Sequence, residues 1–156
     1  MYISKLLPEI YYLAVILFFF ILSLKQRADD SLQKTALLLS AAGVVAVAIS
    51  INKSGILFFG AYQIDIFSQI FKLLISIGFF LVVLLGGNLR GVDNRLKSEY
   101  FMFLAASVFG LSLLVSSVEL LTIFVALEIS SYALYIVVPF RRGDNYRQQT
   151  EAGMKY

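Results

Sequence analysis

Ser117–Pro139 reads SVELLTIFVALEISSYALYIVVP, an apolar run broken by two acids, Glu119 and Glu128. As a helix, ~22 residues rising ~1.5 Å each reach ~33 Å, enough to cross the hydrocarbon core of a bilayer. Glu128 then lies ~15 Å from the nearer end, close to the midplane. A carboxylate at that depth costs roughly 2.5–3.5 kcal/mol to insert, so an acid there is kept for a reason. Two readings follow: Glu128 handles protons or ions, or it is a structural acid that bonds a neighbouring helix.

The whole chain fits the membrane class. It has 156 residues, of which 60% are hydrophobic and only 15% charged, and its mean hydropathy is +0.85. Globular domains carry ~25% charged residues. There is no cysteine and no histidine. Nucleophilic triads built on either are excluded within this chain, and zinc, haem or iron–sulfur ligation has almost nothing to draw on. The formal charge of +3 does not indicate a nucleic-acid partner. The basic residues sit in short loops between apolar runs, not on one soluble face.

Outward from the fifth span, the sequence predicts an all-α membrane protein with five spans, at about 8–24, 32–51, 65–85, 100–115 and 118–139. The first reads as a retained span and not a cleaved leader, because Lys25, Gln26 and Arg27 follow where small cleavage-site residues would stand. Pro8 and Glu9 suit its first turn, and Tyr11 and Tyr12 read as interfacial aromatics. Span two is rich in Ser, Ala and Gly from Ser40 to Ser50, which favours close helix packing. Asn52 to Ile64 is too short to span, and its apolar bits flank Gly60, so it reads as a hairpin or interfacial turn. Asp65 is a candidate N-cap for span three. The two serines between spans four and five leave a tight connection, so those spans are antiparallel neighbours. Thr150 to Tyr156 reads as the start of a sixth helix.

Orientation follows from the basic residues. The loops after spans one, three and five each hold three, the loop after span two holds Lys53 alone, and the junction of spans four and five holds none. The positive-inside rule therefore puts the N-terminus and the Asn52–Ile64 hairpin outside.

Other charged residues have weaker cases. Glu119 lies ~180° around the helix from Glu128, so the two cannot form one carboxylate pair, and it reads as a capping acid. Lys72 lies ~10 Å into span three. It either snorkels, pairs structurally, or serves a proton pathway. Ser131, Tyr132 and Tyr135 fall near the Glu128 face and offer hydroxyls to it. The natural partner of Glu128 is a lysine on another helix, for which Lys72 and Lys155 are the candidates.

The run VELLTIFVALEISSYALYIVV, followed by FRR and EAGMKY, resembles the antiporter-like subunit N of respiratory complex I, the NADH:quinone oxidoreductase. FGLSLLVSS and, more weakly, YQIDIFSQIFK extend the resemblance over the chain. It implies a proton-translocating membrane subunit of a prokaryotic inner membrane, of which this chain is an incomplete N-terminal part. Glu128 matches the family's helix-five glutamate, which works beside a lysine on a broken seventh helix, and Lys155 matches the lysine opening helix six. The resemblance also implies that the chain holds no cofactor. NADH, FMN, iron–sulfur clusters and quinone belong to other subunits, and the partners are neighbouring antiporter-like subunits, reached in part through outer hairpins, together with the bilayer. Mrp-type cation/proton antiporters and membrane-bound hydrogenases carry similar subunits and remain the alternative, beside a purely structural helix protein.

Overall fold

A computed structural model describes residues 5–24, 31–86 and 96–138. Its order is α1 (Leu7–Leu24), α2 (Leu32–Ser50), β1 (Gly55–Leu57), a 3-10 turn (Phe58–Gly60), β2 (Tyr62–Ile64), α3 (Ile66–Leu85), α4 (Lys97–Ser116) and α5 (Leu120–Val137). Each helix has 18 to 20 residues, or ~27–30 Å at 1.5 Å per residue, the thickness of a bilayer core. The expected spans and the observed helices agree to within about three residues, inside the usual uncertainty of helix ends. The expected sixth helix, Lys155 and the basic run from Arg141 lie outside the described residues.

The chain folds as an inside-out object in water's terms. Large apolar side chains such as Leu17, Leu38, Ile49, Phe67, Leu74, Leu121 and Phe124 are exposed along the helices. The interior instead holds Ser40, Ser50, Ser68, Gln69, Lys72, Ser76, Ser107, Ser112 and Ser130. In lipid nothing drives leucine away from the solvent, so small and polar residues take the helix–helix contacts. One aromatic and aliphatic seam runs among them, from Tyr12, Val15 and Phe19 of α1 to Phe79 and Val83 of α3 and Phe101, Ala105 and Val108 of α4.

The helix α4 is the hub: α1, α3 and α5 all pack on it, while α2 packs on α1 and α3. Of the small residues of α2 between Ser40 and Ser50, Ser40, Gly43 and Ser50 are buried in the bundle, beside Ala36 and Val47, whereas Ala42 and Ala48 are exposed. Only Ala126, Ser130 and Ala133 of α5 are buried, so α5 touches the bundle along one narrow seam. At its centre a Cβ on Gly110 would fall 2.6 Å from the Ser130 backbone nitrogen. Glycine alone lets α4 and α5 approach so closely there.

The segment between α2 and α3 is a β-hairpin, with Gly55 opposite Ile64, Ile56 opposite Gln63 and Leu57 opposite Tyr62. Three consecutive residues turn it through positive φ: Phe58 (51°), Phe59 (55°) and Gly60 (99°). Its turn end docks on the junction of α4 and α5, where the Val118 N–H donates to the Ala61 carbonyl at 3.0 Å and Tyr62 bridges Ser117. The N-terminal end of α1 meets the same face, since Leu6 packs on Leu57, Tyr62 and Ile64.

Candidate functional site: a buried charge cluster and a membrane carboxylate

Asp65 caps α3 as the sequence predicts. Its carboxylate accepts from the Ser68 backbone N–H at 2.7 Å, and the Ser68 hydroxyl accepts from the Asp65 N–H at 2.9 Å. This capping box fixes where α3 leaves the hairpin. The bond from the Ser68 backbone, above all, holds the Asp65 carboxyl below its ordinary range.

That rigid entry points Lys72 into the bundle. The lysine is 1% exposed, so it does not snorkel. Its Nζ lies 2.5 Å from Glu9 Oε1 of α1, and 3.4 Å from the Tyr62 hydroxyl of β2. Tyr62 donates to the same Glu9 Oε1 at 2.6 Å, and its ring lies under the ammonium with the centroid 5.3 Å away. One carboxylate oxygen thus receives two donors from two different elements. Burial, then the Glu9 charge, pushes the Tyr62 phenol well above its ordinary range, so it stays a donor.

Of the two lysines that sequence offers to Glu128, Lys72 is therefore committed elsewhere. Glu9, read from sequence as a favourable acid at a helix N-terminus, keeps that position in the first turn and in addition neutralises a buried cation. Tyr11 and Tyr12 are corrected as well. They are not interfacial: Tyr12 is buried and donates to Ser76 Oγ at 2.6 Å, and Tyr11 donates to the Leu39 carbonyl at 2.6 Å. Ser76 Oγ passes the chain on to the Lys72 carbonyl at 2.9 Å. The phenols find internal acceptors, which removes the need for interfacial water.

Glu128 is half-buried on α5. It lies off the Ala126–Ser130–Ala133 seam, toward the side where Tyr132 and Tyr135 are exposed. Tyr132, one turn on, interacts with the carboxyl through its phenol, and its ring meets Tyr135 edge-on at 6.2 Å. Among the described residues no cation pairs with Glu128. Ser131 is half-buried, while Ser130, one residue earlier, faces Ser107 of α4 with their oxygens 3.4 Å apart. Glu119 occupies the N-cap of α5 but makes no side-chain cap bond. It is exposed.

Five membrane-length helices with a serine-lined interior and an internal ion pair define a multi-pass α-helical membrane protein. Within that class the sequence is related along its whole length to bacterial proteins named NADH-quinone oxidoreductase subunit N. It is 41% identical over 152 residues to subunit N 2 of Opitutus terrae, an alignment covering 96% of this chain and 32% of that protein. It is 39% identical over 150 residues to subunit N 2 of Syntrophobacter fumaroxidans, covering 96% and 31%. With subunit N 2 of Solidesulfovibrio magneticus it shares 41% identity over 157 residues, covering 100% and 32%. The chain spans about a third of the length of these curated relatives. No family model matches the sequence.

Proposed function

We propose that the protein is part of the proton-translocating membrane arm of an NADH:quinone oxidoreductase, in the inner membrane of a prokaryote. The observation that carries this reading is the relation to subunit N over the whole chain, joined to an acid, Glu128, halfway along a membrane-length helix. Glu128 faces away from α4 on the least enclosed helix. A further element carrying a cation would complete its surroundings, and a change of charge there would shift the proton affinity of the pair. Lys155 serves the same pathway. Redox chemistry takes place in other subunits, because this chain has no thiol or imidazole to ligate a cluster. Partners are the adjacent membrane subunits, and the strained hairpin tip is the contact offered to one of them.

The test replaces Glu128 with Gln in the assembled complex and follows proton pumping in membrane vesicles. Pumping falls while assembly and electron transfer persist. Unchanged pumping with normal assembly overturns the role. A sodium flux in place of quinone-linked proton flux favours the cation/proton antiporter. A functional Gln variant beside a Leu variant that fails to assemble makes the acid structural.

A further inference from the structure

The lipid-facing side of the α2–α3 pair carries two hollows that neither the charge cluster nor Glu128 uses. The first, of about 460 Å³, lies at the foot of the hairpin and is lined by Asn52, Lys53, Ser54, Asp65, Ile66 and Phe67. Its charged lining is one cation and one anion, so their formal charges cancel. Lys5 comes up against Gly55, one residue further on, but does not line the hollow. The second, of about 190 Å³, is apolar and lies deeper, between Ala41 and Val44 of α2 and Ile77 and Phe80 of α3.

Helical spacing joins the two along one seam. Ala41, Val44 and Ala48 share a face of α2, and Ile66, Ile70, Leu73 and Ile77 share a face of α3, at intervals of three and four residues. Both stripes stand roughly 100° around their helices from the buried faces, which hold Ser40, Gly43 and Val47 on α2 and Lys72, Ser76 and Phe79 on α3. Asn52 and Ala41 are 11 residues apart and Asp65 and Ile77 are 12 apart, or ~16–18 Å at 1.5 Å per residue. Half of a ~30 Å hydrocarbon core is ~15 Å, so the furrow has the depth of one leaflet. Small residues in lipid ordinarily serve helix contacts, yet Ala48 is exposed. Past the midplane the same stripes carry Leu37 and Leu84. The furrow is therefore shaped for an occupant of half the bilayer's depth and not for a spanning helix.

We propose that this furrow holds one zwitterionic phospholipid, a phosphatidylethanolamine, in the leaflet on the hairpin side. Its phosphate sits on the Lys53 ammonium, with the Asn52 amide and the Ser54 hydroxyl as further donors. Its primary ammonium faces the Asp65 carboxylate, which accepts several donors beyond the Ser68 N–H it already takes. One acyl chain runs down the seam past Ala48 to Ala41 and Ile77. Phe67, with its ring centroid 4.7 Å from that of Phe71, flanks the other chain. Anionic lipids are recognised by clusters of basic residues, and here Asp65 would repel their net charge. A choline headgroup has no N–H to donate to Asp65. The lipid thus bridges the two feet of the hairpin and ties the end of α2 to the start of α3.

The experiment is native mass spectrometry of the full protein in detergent, titrated with phosphatidylethanolamine, phosphatidylglycerol or phosphatidylcholine of identical acyl chains. The parent retains one phosphatidylethanolamine in preference to the other two. Lys53→Gln loses that preference. So does Asp65→Asn, which removes the charge but keeps the cap, because asparagine caps as well as aspartate. Ala48→Leu fills the seam and weakens retention of all three lipids. Ala42→Leu adds the same bulk to an exposed alanine off the seam and changes nothing. Phosphatidylglycerol held as tightly as phosphatidylethanolamine, a preference unmoved by either headgroup variant, or equal effects of Ala48→Leu and Ala42→Leu overturn the proposal. An Ala48→Cys cross-link to another membrane subunit in the assembled complex overturns it too, by putting a protein helix in the furrow. None of these readouts involves Glu128, so this proposal and the pumping role fail separately.

Discussion

Glu9 and Lys72 stand 63 residues apart in the chain and meet at 2.5 Å between the first turn of α1 and the interior of α3. The bond ties the two helices together at the hairpin end of the bundle. Its members cannot be removed singly without leaving a bare charge in a low-dielectric site. Glu9→Gln or Lys72→Met alone is expected to destabilise the fold by about 3–5 kcal/mol. The double variant recovers most of that loss, because two neutral side chains carry no desolvation penalty. Thermal or denaturant unfolding of all four proteins in one detergent measures the cycle. Simple additivity of the two single losses would show that the pair does not act as a unit.

The packing of α5 on α4 makes a sharper steric prediction. At Gly110 a Cβ would lie 2.6 and 2.9 Å from backbone atoms of Ser130, whereas at Gly43 the nearest atoms are 3.2 Å away, on the Tyr11 ring and the Tyr12 hydroxyl. Backbone cannot step aside as a side chain can. Gly110→Ala is expected to cost about 1–3 kcal/mol and to part the two helices, while Gly43→Ala is borne by small ring movements at well under that cost. Unfolding midpoints, with cross-linking between engineered cysteines on α4 and α5, measure both effects.

What was legible in the sequence follows from the range of the interactions. The five helices were, because an apolar run of membrane length is a local property that no distant contact needs to supply. The Asp65 cap and the turn at Gly60 were, because both are decided within four residues. The partner of Lys72 was not, since a contact across 63 residues has no local signature. Spans one and three both start on the hairpin side and so run parallel, which brings an acid in the first turn of one within reach of a long lysine two turns into the other, and that shared side was the one available clue. Tyr11 and Tyr12 were misplaced because an aromatic near a helix end fits an interface and a buried hydrogen bond equally well. Only the presence of Ser76 and the Leu39 carbonyl decides between them. The surroundings of Glu128 lie beyond the face that the described helices cover.

The Asp65 cap gives a pH-dependent prediction with a definite sign. Its folded carboxyl is held below the ordinary 3.8, first by the Ser68 backbone bond. A depressed folded value means that the cap stabilises fully above 3.8 and that this contribution is lost as pH falls through the lower folded value. At neutral pH Asp65→Ala is expected to cost about 1 kcal/mol. The difference between parent and variant then shrinks to nothing in strong acid, as unfolding curves at stepped pH would record. A difference that grew on acidification would reverse the assignment.

The hairpin tip offers the opposite sign, a substitution that stabilises. Phe59 holds φ 55° and ψ 27°, the left-handed region, and its side chain is fully exposed. An L-residue with a bulky Cβ pays roughly 1–2 kcal/mol there, and Phe59 gains no packing in return. Asparagine tolerates the region, so Phe59→Asn is expected to raise the stability of the isolated protein by about 1 kcal/mol. The same change at Phe58 helps less, because the Phe58 ring meets Tyr62 edge-on at 6.3 Å and that contact is lost. A natural chain that keeps an exposed, strained phenylalanine forgoes stability it could have. In the proposed assembly the ring is kept for a neighbouring subunit. Phe59→Asn then stabilises the protein alone while weakening its retention in the complex, measured by unfolding in detergent beside co-purification of the membrane subunits. Gain in both would leave the ring without a partner.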